Sequence, residues 1–164
     1  MNLIALEFAI AQESPAQADV VRLIAALDAY QLPLYPDYSN QPTDISRLTY
    51  ADVIFAVARS PSGEAVGCAG ILLTASYAEL KRMYVQPAWR GHGVGSALLR
   101  FLEGRAVHNG AQWMYLETGI YQPESIGLYE RAGYKPRGAF GGYVDDGLSV
   151  FMGKALRSPL VLAV

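Results

Sequence analysis

Cysteine, histidine and tryptophan are almost absent from this 164-residue chain, which holds one, two and two of them. Each scarcity excludes something. The lone thiol, Cys68, has no partner for an internal disulfide, so the core must hold the fold and a reducing compartment is permitted. His92 and His108 lie far apart, and with a single cysteine they make no recognisable metal spacing, so no metal is expected. Charge is sparse too, at 17% of residues, and the formal net charge of −2 lacks the basic excess of a nucleic-acid binder. No stretch approaches the roughly 20 apolar residues of a membrane span. The N-terminus has no basic leading region, and Glu7 interrupts its apolar run, which makes a poor export signal. A cytoplasmic protein with neither a membrane nor a nucleic-acid partner is expected.

Apolar residues, in contrast, make up 52% of the chain, enough for one sizeable core but too short a chain for two comfortable domains. One domain over residues 1–157 and an apolar tail over 158–164 are expected; the tail suits either pairing across a homodimer or covering the chain's own core. Residues 2–10 read as a first strand. Ser14, Pro15 and Gln17 offer a capped helix start, and Val20, Leu23, Ile24 and Leu27 its apolar stripe. Prolines at 33 and 36 make Tyr30–Tyr38 a structured loop, followed by a short helical piece over Thr43–Leu48. Val53–Arg59 and Ala65–Thr74 form a hairpin around the Ser60–Gly63 turn. Tyr77–Gln86 and Gln112–Thr118 are the fourth and fifth strands. A Pro123-led helix to Gly133 and strands near Tyr134–Arg137 and Ser149–Leu156 complete the chain.

The stretch Val85–Glu103 organises the rest. Pro87 stops a strand ending in Met83-Tyr84-Val85; Gly91, Gly93 and Gly95 follow; then Val94, Ala97, Leu98, Phe101 and Leu102 mark one helix face. Helix-start amides lack intrahelical partners and sit at the positive end of the dipole. Glycines admit a bulky anion to the backbone, and Arg90 adds a planar cation, so the turn reads as a diphosphate cradle. An ordinary surface turn has the same composition. The strand–helix–strand crossover makes the fourth and fifth strands parallel neighbours, with a ligand site at their ends.

With Arg90-Gly-His-Gly-Val-Gly95 in that place, the chain resembles a GNAT-superfamily N-acetyltransferase, whose signature is Arg/Gln-x-x-Gly-x-Gly/Ala. Gln122-Pro-Glu-Ser-Ile-Gly-Leu-Tyr129-Glu-Arg-Ala-Gly133-Tyr134 resembles the family's second segment, with Gln122 in place of the usual Asn and Ser125 in place of a frequent Ala. The resemblance implies an α+β, acyl-CoA N-acyltransferase fold: a central mixed, mostly antiparallel sheet flanked by helices, with strands 4 and 5 parallel and splayed. It implies acetyl-CoA as donor substrate. The diphosphate is expected on the amides of Arg90, Gly91, His92, Gly93, Val94, Gly95 and Ser96. The pantetheine arm is expected along Met83, Tyr84 and Val85 and near Gln122 and Ser125, with the Val85 amide as oxyanion donor. Transfer to a primary amine of a small molecule or peptide is then direct and needs no protein nucleophile.

Glu79 is the leading base, on the face of Met83 and Val85 if the strand keeps period 2; a bulge reverses that facing. A solvated carboxylate, or one that binds a cationic acceptor, fits the same position. Tyr129, from the Leu-Tyr motif, is the expected acid for the departing thiolate; a core aromatic at helical spacing is its alternative. Tyr30, Tyr35, Asp37 and Tyr38 early, and Phe140, Tyr143, Asp145 and Asp146 late, are candidates for the acceptor wall. A non-catalytic acyl-CoA sensor or regulatory module, and a dimerisation domain retaining only the fold, are the rival readings.

Overall fold

The computed structural model describes residues 6–36 and 43–156. Seven strands form one sheet in the order β1-β2-β3-β4-β5-β7-β6. They are β1 (Ala9–Gln12), β2 (Val53–Arg59), β3 (Ala65–Leu73), β4 (Tyr77–Val85), β5 (Trp113–Gly119), β6 (Lys135–Arg137) and β7 (Ser149–Ala155). Helix α1 (Ala18–Gln31) covers one face, while α2 (Val94–His108) and α3 (Pro123–Arg131) flank the other. All strand pairs are antiparallel except β4–β5. The expected α+β architecture is therefore present. Residues 2–5, Asp37, Tyr38 and the tail 158–164 lie outside the described residues.

Local signals explain most boundaries. The Ser60–Gly63 turn closes through Gly63 N–H to Ser60 O at 2.9 Å. Helix α2 ends at Asn109 before Gly110. The helical piece before β2 is a 3₁₀ turn, Ile45–Thr49, started by Asp44, which accepts from Ser46 N–H at 3.0 Å. At the start of α1 the expectation fails. The helix begins at Ala18 after Gln17, because the Ser14 hydroxyl accepts from Ala16 N–H, two residues on, at 3.1 Å and holds a turn instead. The first strand starts at Ala9, later than the sequence reading placed it.

The core has two layers. Val20, Leu23 and Ile24 of α1 pack on Phe55, Val57 and Cys68. Leu98, Leu99 and Leu102 of α2 pack on Ala56, Ile71, Ala78 and Leu80, and Tyr129 of α3 joins the same cluster. Burial among apolar neighbours pushes the Cys68 thiol up to about 12, so it behaves as a small core residue. Among the described residues no helix is long and apolar enough to cross a membrane.

Two irregularities position the site. Strands β4 and β5 pair only from Tyr77–Trp113 to Glu79–Tyr115, so from Leu80 onward they part. Opposite Ala69, β4 carries an extra residue between Lys81 and Tyr84: a β-bulge, in which Arg82 takes φ 54°. The bulge reverses the strand's facing. Ala78, Leu80, Met83 and Val85 share the α2 side, whereas Glu79, Lys81 and Tyr84 lie on the other. The expectation that Glu79 shares a face with Met83 and Val85 is thus corrected, since a strand with a bulge does not keep period 2.

Candidate functional site

The expected donor half begins where β4 ends. Gln86 N–H bonds back to Val66 O at 2.9 Å, so by strand alternation the Val85 amide points the other way, into the gap between β4 and β5. Arg90 Nε donates to Val85 O at 2.9 Å and its guanidinium stands 5.6 Å from the Tyr84 ring centre, which fixes the arginine at the mouth of this gap. Gly93 precedes the helix at φ 86°, a conformation glycine adopts without strain. The first helical bond is Ala97 N–H to Gly93 O, leaving the amides of Val94, Gly95 and Ser96 without an intrahelical partner. Gly95 has a second use: a β-carbon there would sit 2.9 Å from Leu128 Cδ2, so its absence lets α2 approach α3.

These residues line a groove of about 720 Å³. Met83, Tyr84 and Val85 form one side, Arg90, Gly91, Gly93, Val94, Gly95 and Ser96 the end, and Gln122, Ser125 and Leu128 the other side. Of the expected donor residues only His92 does not line it; its side chain is exposed. Open helix-start amides, an arginine and a long groove fit a diphosphate carrying an extended arm. The Gln122 amide oxygen is already engaged, accepting from Gly119 N–H at 3.2 Å and from the Tyr35 hydroxyl at 3.1 Å.

The groove continues through the strand gap into a second cavity of about 380 Å³. Leu27, Met83, Gln122 and Ser125 border both. Tyr129 lies in the second cavity, 5% exposed, and burial holds its phenol well above the ordinary range, so the hydroxyl keeps its proton. Glu117 stands on β5 in the same cavity. Its Oε1 accepts from the Ser149 hydroxyl at 2.8 Å, and burial raises its carboxyl pKa. Glu79 does not line the cavity. It is buried behind it, with Tyr143 Oη donating to its Oε1 at 2.5 Å and Lys81 Nζ ion-paired to the same oxygen at 2.9 Å.

The profile of the acetyltransferase (GNAT) family matches residues 22–134, more than half of the chain. The chain belongs to that family. It is 46% identical over 149 residues to the IAA acetyltransferase of Azospirillum brasilense, covering 90% of this chain and 97% of the relative. A solved Klebsiella pneumoniae structure assigned to the acyl-CoA N-acyltransferases superposes with a TM-score of 0.79 at 43% identity, over 92% of this chain and 98% of that one. An aminoglycoside 6′-N-acetyltransferase complexed with coenzyme A shares the fold, with a TM-score of 0.70 at 18% identity over 91% of this chain and 97% of that one.

As a GNAT acetyltransferase the chain shows which acceptor-side residues the sequence placed and which it missed. Tyr35, Tyr143 and Asp146 line the second cavity, whereas Tyr30 borders the donor groove. Phe140 is buried among Tyr77, Tyr115 and Phe151, and Asp145 accepts from Gly147 N–H at 3.0 Å, holding the loop. Glu117, Lys81 and Arg82 were missed. The alternation Trp113, Tyr115, Glu117 carried a signal for the first, since it sets one carboxylate on the aromatic face of a strand. Among the described residues no group of three His, Cys, Asp or Glu could hold a metal ion.

Proposed function

We propose that this GNAT enzyme transfers the acetyl group of acetyl-CoA directly to a primary amine of a small molecule or peptide. The observation that carries this reading is the junction: donor groove and second cavity meet at Met83, Gln122 and Ser125, in the gap between β4 and β5, with Glu117 and Tyr129 beside it. The α2 amides and Arg90 bind the diphosphate, the β4 edge orients the arm, and the Val85 amide donates to the developing oxyanion. Acetyl-CoA supplies the thioester.

Within this reading Glu117 takes the proton of the attacking amine, because a buried carboxylate with a raised pKa is a stronger base than a solvated one. The amine nitrogen bonds to the acetyl carbon, the carbon–sulfur bond breaks, and Tyr129 Oη gives the thiolate its proton. Glu79 serves from behind the wall by holding Lys81 and Tyr143. The relatives' activities agree with an acceptor of small size. Calorimetry with acetyl-CoA followed by thiol release over a panel of amines tests the reading. Binding with amine-dependent release supports it, and binding without release from any amine favours a sensor.

A further inference from the structure

The second cavity has two chemically opposite, partly uncommitted groups. Glu117 spends one oxygen on Ser149, and Oε2 accepts from nothing among the described residues. Arg82 spends one nitrogen: Nη1 donates to Asp28 Oδ1 at 3.1 Å and to Gln31 Oε1 at 3.4 Å, while Nε and Nη2 donate to nothing among the described residues. Lys81, by contrast, is tied to Glu79 and Tyr143.

The bulge is what brings Arg82 here. With φ at 54°, an uncommon conformation for an arginine, the residue leaves the strand's alternation and lines the cavity beyond the point where β4 and β5 part. Residues held in such conformations concentrate at ligand clamps. The charged side chains lining the cavity are Lys81, Arg82, Glu117 and Asp146, two of each sign. Each cation already has a carboxylate partner, Glu79 for Lys81 and Asp28 for Arg82, but among the described residues Arg82 keeps Nε and Nη2 open while Glu117 keeps Oε2. A molecule with one charge of each sign fits.

Resting on the acetyltransferase reading of the same site, we infer that the acceptor is a free amino acid, its amine at Glu117 and its carboxylate on the Arg82 guanidinium. A guanidinium presents planar, paired donors that match a carboxylate. The cavity volume of about 380 Å³ suits a molecule of this size. Burial raises the Glu117 carboxyl pKa, and the charges of Lys81 and Arg82 oppose that shift, so Glu117 and Arg82 act on one another across the same cavity.

The test is calorimetry of the twenty common amino acids and their carboxamides on the protein with and without bound CoA, paired with thiol-release rates from acetyl-CoA. At least one amino acid should bind ten-fold or more tightly than its own carboxamide. Arg82→Gln should abolish that preference with CoA affinity unchanged, and Arg82→Lys, which keeps the charge but not the fork, should retain part of it. The inference is overturned if no amino acid binds, if carboxamides bind equally, or if Arg82→Gln weakens both alike. Amino-acid binding with that preference but without thiol release overturns instead the catalytic reading, and leaves the amino acid as the cavity's ligand and not its acetyl acceptor.

Discussion

Tyr143 and Glu79, 64 residues apart in sequence, meet at 2.5 Å, and this bond ties the loop between β6 and β7 to the centre of the sheet. Lys81 Nζ forms an ion pair with Glu79 Oε1 at 2.9 Å and donates to Tyr143 Oη at 3.0 Å. In the proposed mechanism Glu79 is a positioning residue: it holds Lys81 and Tyr143, which line the second cavity, without lining it itself. Glu79→Gln and Tyr143→Phe should each raise the acceptor KM, spare acetyl-CoA affinity and cost about 1–3 kcal/mol of stability. The double variant should cost less than the sum of the two single ones, because Glu79, Tyr143 and Lys81 form one network. A hundred-fold loss of kcat at unchanged KM in Glu79→Gln would instead make Glu79 the base.

Glu117 has a pH signature of definite sign. Burial raises its carboxyl pKa, so kcat/KM should fall as pH drops through that raised value. Glu117→Gln should remove the acidic limb and lower turnover by about 10²–10⁴. Stability moves the opposite way. A carboxyl whose folded pKa lies above its unfolded one contributes stability fully present below the unfolded pKa and lost as pH rises through the folded pKa. Thermal melts should therefore show Glu117→Gln gaining on the parent chain from pH 4 to pH 8. A parent chain that gains on the variant over that range contradicts the burial argument.

The anion cradle can be separated from the fold at Gly93. Its φ of 86° tolerates Asn better than most residues, and no atom lies within 4 Å of an added β-carbon. Gly93→Asn should keep most acetyl-CoA affinity, whereas Gly93→Asp, nearly the same size but charged, should weaken it at least ten-fold more. The gap should shrink at high salt. Gly95→Asp is a poorer probe, since its side chain meets Leu128 and disturbs helix packing as well. Equal affinities for the two Gly93 variants would refute the cradle.

The elements and the groove beside the glycine turn were legible in the sequence because their signals are local. Glycine, proline and apolar period lie within a few residues of the strand ends and helices they mark. Arg82 shows where this stops. No glycine flags the bulge, and nothing near Arg82 announces a positive φ; the extra residue shows only in the register against β3, where Lys81 pairs with Gly70 and Tyr84 with Cys68. One extra residue was enough to move Glu79 to the opposite face. Tyr143 failed to announce its partner for the same reason: a glycine-rich loop carries no period that says which strand it will meet.

Tyr129 offers the sharpest test of the proposed proton flow. Tyr129 lines the second cavity and is 5% exposed, and burial raises its phenol pKa above the ordinary range. Loss of the hydroxyl should therefore leave binding alone and slow only the step in which the thiolate departs. Tyr129→Phe should lower kcat about 10²-fold or more with acetyl-CoA affinity and the acidic limb of the rate profile unchanged. An acyl donor whose leaving thiol is more acidic needs less help, so the variant's deficit should narrow with such a donor. If the deficit stays constant across donors, the Tyr129 hydroxyl orients the arm and the proton reaches sulfur from solvent.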